Sequence, residues 1–174
     1  MTEWVPVVPV EAMPGDLRAQ WEATERTGLR DFIGIMANAP DHFRRFNNVY
    51  GPLRFENHLG ARLTELVRLA VAATTRCQVC MAGRHPSAVA DGLTEELVCE
   101  IGQSEQPHMT AAEQVAVAFV VKLATDHLSI TDADKARLCD HFNPEQVVEL
   151  GLLCVMCLVG RFSMLAGLTE SSSI

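Results

Sequence analysis

Leu63-Thr64-Glu65-Leu66-Val67-Arg68-Leu69-Ala70-Val71-Ala72-Ala73-Thr74-Thr75 is the stretch on which the fold class turns. Leu63, Leu66, Val67, Ala70, Val71 and Thr74 stand at i, i+3, i+4, i+7, i+8 and i+11. That spacing puts them on one face of an α-helix and is incompatible with the two-residue alternation of a strand. The same period recurs upstream, where Leu17, Trp21 and Thr24 share a face and Leu29, Phe32, Ile33 and Met36 form the next apolar stripe. Phe43, Phe46, Tyr50 and Leu53 continue it after Pro40-Asp41, with Gly51-Pro52 expected to kink or end that helix.

Downstream, cap residues mark the starts. Gly92 closes one helix and Thr94 begins a short one over 95–102. Thr110-Ala111-Ala112-Glu113 is a capping box for a helix to about His127, and Thr131 through Phe142 forms another. Asn143 then caps a long apolar helix to about Leu165, with Pro144 at its first position. The stretches 53–85, 108–143 and 145–174 hold no proline, and none of the chain alternates like a strand. The fold class is all-α. Residues 1–14, with Pro6, Pro9 and Pro14, are expected to form an extended N-terminal arm on the body or on a neighbouring subunit, and 15–174 a single helical domain.

The chain has 22 acidic residues against 14 basic ones, a formal charge of −8. No basic face that neutralises phosphates is expected, which argues against nucleic acid and anionic membrane as partners. The N-terminus carries neither a basic nor an apolar leader segment, and the most apolar run, Leu150 to Val159, is half of the roughly 20 residues a spanning helix needs. No membrane span is expected, and the cytoplasm is the expected location. Six cysteines in such a chain read as reduced, metal-bound or catalytic thiols.

Four of them form two pairs. Cys77-Gln78-Val79-Cys80-Met81-Ala82-Gly83-Arg84 and Cys154-Val155-Met156-Cys157-Leu158-Val159-Gly160-Arg161 share C-x-x-C-x-x-G-R, and Gly92-Leu93-Thr94-Glu95 recurs as Gly167-Leu168-Thr169-Glu170. A duplicated helical hairpin would account for both. Cys154 and Cys157 lie inside an unbroken apolar run and read as core. Cys77 and Cys80 follow Thr74-Thr75-Arg76, a hydroxyl pair suited to cap a new helix. Both sulfurs would then sit in a first turn, where free N–H groups, the helix dipole and the flanking Arg76 and Arg84 favour a thiolate.

Glu65, twelve positions before Cys77, has two readings. Partial burial would raise its pKa and let it take a proton from a thiol and return it; alternatively it pairs with Arg68 at i+3. Pro86 is expected to kink a helix running on from the cysteines and so to redirect His85. A zinc site from Cys77, Cys80, His85 and Cys99 would match no familiar spacing, and His42, His58, His108, His127 and His141 make no ligand pattern. No metal is expected. His58, before the Glu65 helix, is a candidate for the pocket wall, as are Phe43, Phe46, Tyr50 and Phe119.

Glu65, eleven intervening residues, Cys77-x-x-Cys80 and Gly92-Leu93-Thr94-Glu95-Glu96 together resemble the alkylhydroperoxidase-D-like (AhpD-like) branch of the carboxymuconolactone decarboxylase superfamily. The likeness takes in Leu66 to Ala72, Glu113 to Leu123 and Val147 to Phe162, and spans roughly 29–167. It implies an AhpD-like helical bundle that assembles into homo-oligomers (dimer, trimer or hexamer) and needs no cofactor. It also implies a peroxidase or disulfide oxidoreductase acting on a small peroxide. Cys80 would attack and pass through a sulfenic acid, Cys77 would resolve it as a disulfide, and Glu65 would relay protons. A dithiol protein or small thiol would restore the pair.

The family has a histidine four residues after its second cysteine; here that position is Arg84, with His85 next to it. An arginine carries no proton at neutral pH but can hold a thiolate or an anionic substrate. Arg84 is therefore a candidate for substrate binding and His85 for the proton relay. The alternatives are a lactone-processing or decarboxylating enzyme, the superfamily's other activity, and a non-catalytic helical assembly whose thiols sense oxidants. The helix from Val147 to Leu165, apolar nearly all round, points to a central position or a subunit interface.

Overall fold

The structure, a computed structural model, describes residues 4–168. The first three residues of the arm and the Thr169-Glu170 half of the repeated Gly-Leu-Thr-Glu lie outside the described residues. Among the described residues eleven α-helices follow one another: α1 (Gly15–Glu22), α2 (Thr27–Met36), α3 (Pro40–Phe55), α4 (Ala61–Thr75), α5 (Gln78–Met81), α6 (Pro86–Ala90), α7 (Glu95–Cys99), α8 (Ala111–Thr125), α9 (Asp132–Cys139), α10 (Pro144–Cys157) and α11 (Val159–Leu165). Among the described residues there is no strand.

The decisive stretch is α4, and it lies at the centre of the bundle. Every side chain from Leu63 to Ala72 is buried, Glu65 and Arg68 included. Its apolar face packs with α8 and α10 through Leu66, Leu69, Val71, Ala116, Val120, Leu150 and Leu153. Burying the opposite face as well requires its two charges to satisfy each other, which they do.

The capping boxes hold the downstream helices: Thr110 with Glu113, Thr131 with Asp134, and Asn143 with Gln146 each exchange both hydrogen bonds. Three expectations change. Gly51-Pro52 does not end α3, which continues to Phe55. The helix predicted over 95–102 stops at Cys99. The long C-terminal helix breaks at Leu158 into α10 and α11. By length and apolar composition Pro144–Leu165 would suffice to cross a bilayer, which the ten-residue apolar run did not signal. In the fold it is an element of the core, with Leu150, Leu153, Cys154 and Cys157 turned against α4 and α8. Val148, Leu152 and Val155 remain exposed on its other side.

The arm lies on α2. Val8 N–H donates to the Gly34 carbonyl at 3.0 Å, Asn38 Nδ2 donates to the Pro6 carbonyl at 2.8 Å, and Met13 is buried. A β-carbon at Gly34 would stand 2.5 Å from Val7 Cγ1, so this close approach needs glycine there.

Candidate active site

α4 ends because Arg76 takes the left-handed conformation, φ 53°, an unusual one for a residue with a β-carbon. The Thr74 and Thr75 hydroxyls donate back to the carbonyls of Val71 and Ala72 at 2.8 and 3.0 Å and do not cap the next helix, contrary to expectation. Cys77 is the cap. Its Sγ accepts the Cys80 N–H at 3.2 Å, so the first-turn donor goes to the first sulfur rather than the second. α5 is one turn long and supplies little dipole. Arg76 is exposed and does not line the cavity described below. Cys77 and Cys80 are joined as a disulfide with Cα atoms 5.2 Å apart. Cys77 is sealed at 0% exposure, whereas Cys80 is half-buried and on a cavity wall. Beneath the bridge lies Gly160, where a β-carbon would stand 3.2 Å from Cys77 Cβ and 3.3 Å from Cys80 Sγ.

The cavity, about 280 Å³, opens where α2, α3, α4 and the α5–α6 loop meet. Phe32, Phe46 and Tyr50 line one side; Glu65, Arg68 and Arg54 the floor; Cys80, Arg84 and His85 the rim toward α6. Glu65 and Arg68 form a two-pronged ion pair, Nη2 to Oε1 at 2.6 Å and Nε to Oε2 at 2.9 Å. Arg54 Nη2 adds a contact to Oε2 at 2.9 Å, and the His85 N–H donates to Oε1 at 3.1 Å. Arg68 also donates to the carbonyls of Cys80 and, at 2.9 Å, Gly83, tying the disulfide loop to α4.

Burial alone would push the Glu65 carboxyl up. The hydrogen bonds and charge of Arg68, then Arg54 and the His85 N–H, outweigh it, and the carboxyl stays below its ordinary value. The expectation of a raised pKa is corrected: the pairing reading is the one observed. An ionised carboxylate held by two guanidinium groups is a poor acceptor for a thiol proton.

His85 reaches the cavity without a kink. Two short helices replace the single one expected, with His85 as the N-cap of α6 and Pro86 at its first position, where a missing N–H costs nothing. The ring lies 4.7 Å from Phe55. Its Nδ1 accepts the Ser87 N–H at 3.3 Å, leaving the proton of the neutral ring on Nε2. Arg84 lines the cavity but its donors are committed: Nε and Nη2 to Glu95 at 3.0 Å each, and Nη1 to the Met81 and Gly83 carbonyls. It braces the loop instead of offering a free anion site.

His58 is the clearest displacement from expectation. It sits outside the cavity, exposed, with Nδ1 2.9 Å from Glu149, whose hydrogen bond raises its pKa. Of the aromatic candidates Phe46 and Tyr50 converge here; Phe43 joins Met13 and Leu17 in a separate cluster, and Phe119 lines a different depression. Cys99 is exposed and unpaired. Among the described residues no group of three His, Cys, Asp or Glu side chains is placed to hold a metal ion.

Sequence reasoning missed Arg54 and Cys157. Arg54 follows Tyr50 by four residues on one face of α3, a spacing that could have grouped them. Cys157, expected as core, is buried yet lines the cavity with its Sγ 3.5 Å from the Tyr50 hydroxyl. Burial raises the Cys157 thiol above its ordinary value, and takes that of Cys154, which the cavity does not reach, to about 12.

The sequence pattern of the carboxymuconolactone decarboxylase family matches residues 40–122, from the start of α3 through most of α8. No curated protein matches the chain. Among solved structures, an alkylhydroperoxidase AhpD core, a peroxidase-related protein from Ralstonia eutropha JMP134, superposes with a TM-score of 0.75 at 17% identity, over 96% of this chain and 91% of its own. The debrominase Bmp8, as a cysteine-to-alanine variant in complex with 2,3,4-tribromopyrrole, gives 0.77 at 14% identity over 99% and 94%. A peroxidase-related protein from Silicibacter sp. TM1040 gives 0.77 at 15% over 99% and 94%. At these identities the likeness is one of fold.

Proposed function

We propose, from the premise that this chain belongs to the carboxymuconolactone decarboxylase superfamily and has the fold of its AhpD-like branch, that it is a thiol-dependent peroxidase. The observation that carries the proposal is the bridged Cys77–Cys80 pair on the wall of a cavity furnished with cationic groups and a histidine, with Cys80 the one of the two that solvent reaches. In the reduced chain the Cys80 thiolate attacks the terminal oxygen of a hydroperoxide ROOH. The O–O bond breaks, Cys80 becomes a sulfenic acid, and the leaving alkoxide takes a proton to depart as ROH. The Cys77 thiol then displaces the sulfenic oxygen as water and closes the disulfide. An external dithiol reduces it, becoming a disulfide itself.

His85 is the group in this scheme that moves the proton to the alkoxide. Arg68, bonded to the Cys80 carbonyl, supplies the positive charge that α5 is too short to provide. Glu65 serves as a positioning residue for Arg68 and for the His85 backbone rather than as the proton relay. The reduced chain treated with cumene hydroperoxide should lose two thiols together and yield a Cys77–Cys80 peptide link. Thiols that survive peroxide, or a Cys80 that iodoacetamide never alkylates from acid to alkaline pH, would overturn this. A Cys77→Ser, Cys80→Ser chain that retained full activity on a cyclic lactone acid would favour the decarboxylase alternative.

The aromatic wall of Phe32, Phe46 and Tyr50 favours a second reading, reductive debromination of a small aromatic ring. There a carbon–bromine bond is replaced by carbon–hydrogen, bromide and a proton leave, and the dithiol becomes the disulfide. Bromide released from tribromopyrrole by the reduced chain is its test.

A second copy of the chain is the proposed cover for the exposed apolar stripe Val148, Leu152, Val155, Phe162 and Leu165 on α10 and α11. Light scattering should give a multiple of 19.1 kDa, and Leu152→Glu with Val155→Glu should reduce it to that mass. A wild-type chain already at that mass would remove the oligomer.

A further inference from the structure

Four arginines, Arg26, Arg54, Arg68 and Arg84, line the cavity against one carboxylate, Glu65, and Arg84 is paired with Glu95 outside it. Arg54 and Arg68 share the single carboxylate of Glu65. Arg68 has its donors committed to Glu65 and to the carbonyls of Cys80 and Gly83. Arg54 donates from Nη2 to Glu65, but its Nε is buried and, alone among buried side-chain nitrogen and oxygen atoms of the described residues, has no hydrogen-bond partner. Leaving such a donor unmet is costly, and a surplus charge next to apolar walls more so.

The neighbours of Arg54 do not supply the missing charge. Its guanidinium lies over the rings of Tyr50, at 5.7 Å, and Phe55, at 5.0 Å. The nearby acids are the Tyr50 hydroxyl and the Cys157 thiol, which bond to each other and are both kept neutral by burial. Phe46 and Phe32 continue the lining beside Tyr50. The space is therefore shaped for an apolar, ring-sized body with one negative oxygen-bearing group directed at Arg54. A carboxylate suits the planar fork of an arginine.

We infer that Arg54 is an anion-binding subsite of this cavity, and that the molecule presented to Cys80 is a small organic carboxylate with an apolar, ring-sized body. The inference rests on the peroxidase reading for what happens to that molecule, but not for its binding.

Benzoate and its neutral counterpart benzamide are the probes, titrated calorimetrically into the oxidised chain. Benzoate should bind the wild type at least about tenfold more tightly than benzamide. Arg54→Met should erase the difference, and Arg54→Lys, which keeps the charge but loses the Nε donor, should narrow it. If Arg54→Met does not fold, the wild-type comparison and Arg54→Lys decide. Equal affinities in the wild type, no benzoate binding at millimolar concentration, or an unchanged preference in the folded variants would each overturn the inference. None of these readouts uses thiol chemistry. An inert Cys80 with an intact benzoate preference would sink the peroxidase alone; turnover of neutral cumene hydroperoxide without a benzoate preference would sink the subsite alone.

Discussion

The two C-x-x-C-x-x-G-R segments share a spacing and differ in everything the spacing was meant to confer. Cys77 comes after the left-handed turn at Arg76, caps a new one-turn helix and is bridged to Cys80. Cys154 and Cys157 lie inside α10, unbridged and buried, Cys154 donating to the Val120 carbonyl and Cys157 meeting the Tyr50 hydroxyl. The arginines diverge in parallel: Arg84 binds Glu95 and carbonyls of its own loop, while Arg161 reaches the Ala124 carbonyl of α8. Two cysteines three residues apart become a bridged pair here because of where the helix stops, not because of their separation.

The largest effect that would break this contrast is chemical. Cys80→Ser should reduce peroxide-dependent thiol loss to background, whereas Cys154→Ala should leave its rate unchanged, both followed by thiol titration. Equal losses in the two variants would make the segments equivalent after all.

The next effect concerns the anchor that only the first segment possesses. Glu65→Gln leaves Arg54 and Arg68 buried without a carboxylate and should cost about 3–5 kcal/mol in urea unfolding. The sign of its pH dependence follows from the lowered pKa. The unfolded carboxyl binds protons near its ordinary 4.5 and the folded one only at lower pH. Its stabilisation is thus full above 4.5 and lost as pH falls through the folded value. The wild type should weaken with acid across that window more steeply than Glu65→Gln; parallel curves would contradict the pairing.

The smallest effect separates the two glycines. At Gly160 an added methyl meets the Cys77 β-carbon and both sulfurs at 3.2–3.4 Å, which are fixed by the disulfide. Overpacking of about 1–3 kcal/mol, less up to about 1 for the better helix former, leaves Gly160→Ala destabilised by about 1 kcal/mol. At Gly83 the methyl meets the far end of Arg26, whose Nη2 donates to the Val79 carbonyl, so Gly83→Ala should cost about the 0.5–1.5 kcal/mol of a displaced hydrogen bond and leave the bridge unstrained. Thermal melts of the oxidised proteins measure both costs.

Much of the fold was legible before any coordinates. The period of Leu63 to Thr74 gave α4, and the box at Thr110 and the cap Asn143-Pro144 gave the starts of α8 and α10, because period and caps are local properties. The ends were harder. A left-handed residue is announced by glycine at 92 and 167 but by nothing at Arg76, so the cap was assigned to Thr74-Thr75. Pro86 read as a helix interruption because the stop before it carried no signal. Within the site, Cys77 and Cys80 stood out by spacing, while the charge state of Glu65 depended on Arg54, eleven residues away on another helix. Tyr50 and Cys157, 107 residues apart, meet only through the packing of α3 on α10.

Complete burial of Cys77 makes the bridge one-sided. In the proposed cycle a donor arriving from solvent therefore strikes the outer sulfur, the transient mixed linkage forms on Cys80, and Cys77 departs as the leaving group. Electron entry in that cycle has a fixed polarity, and any reductant that serves it must bring its own sulfur to Cys80.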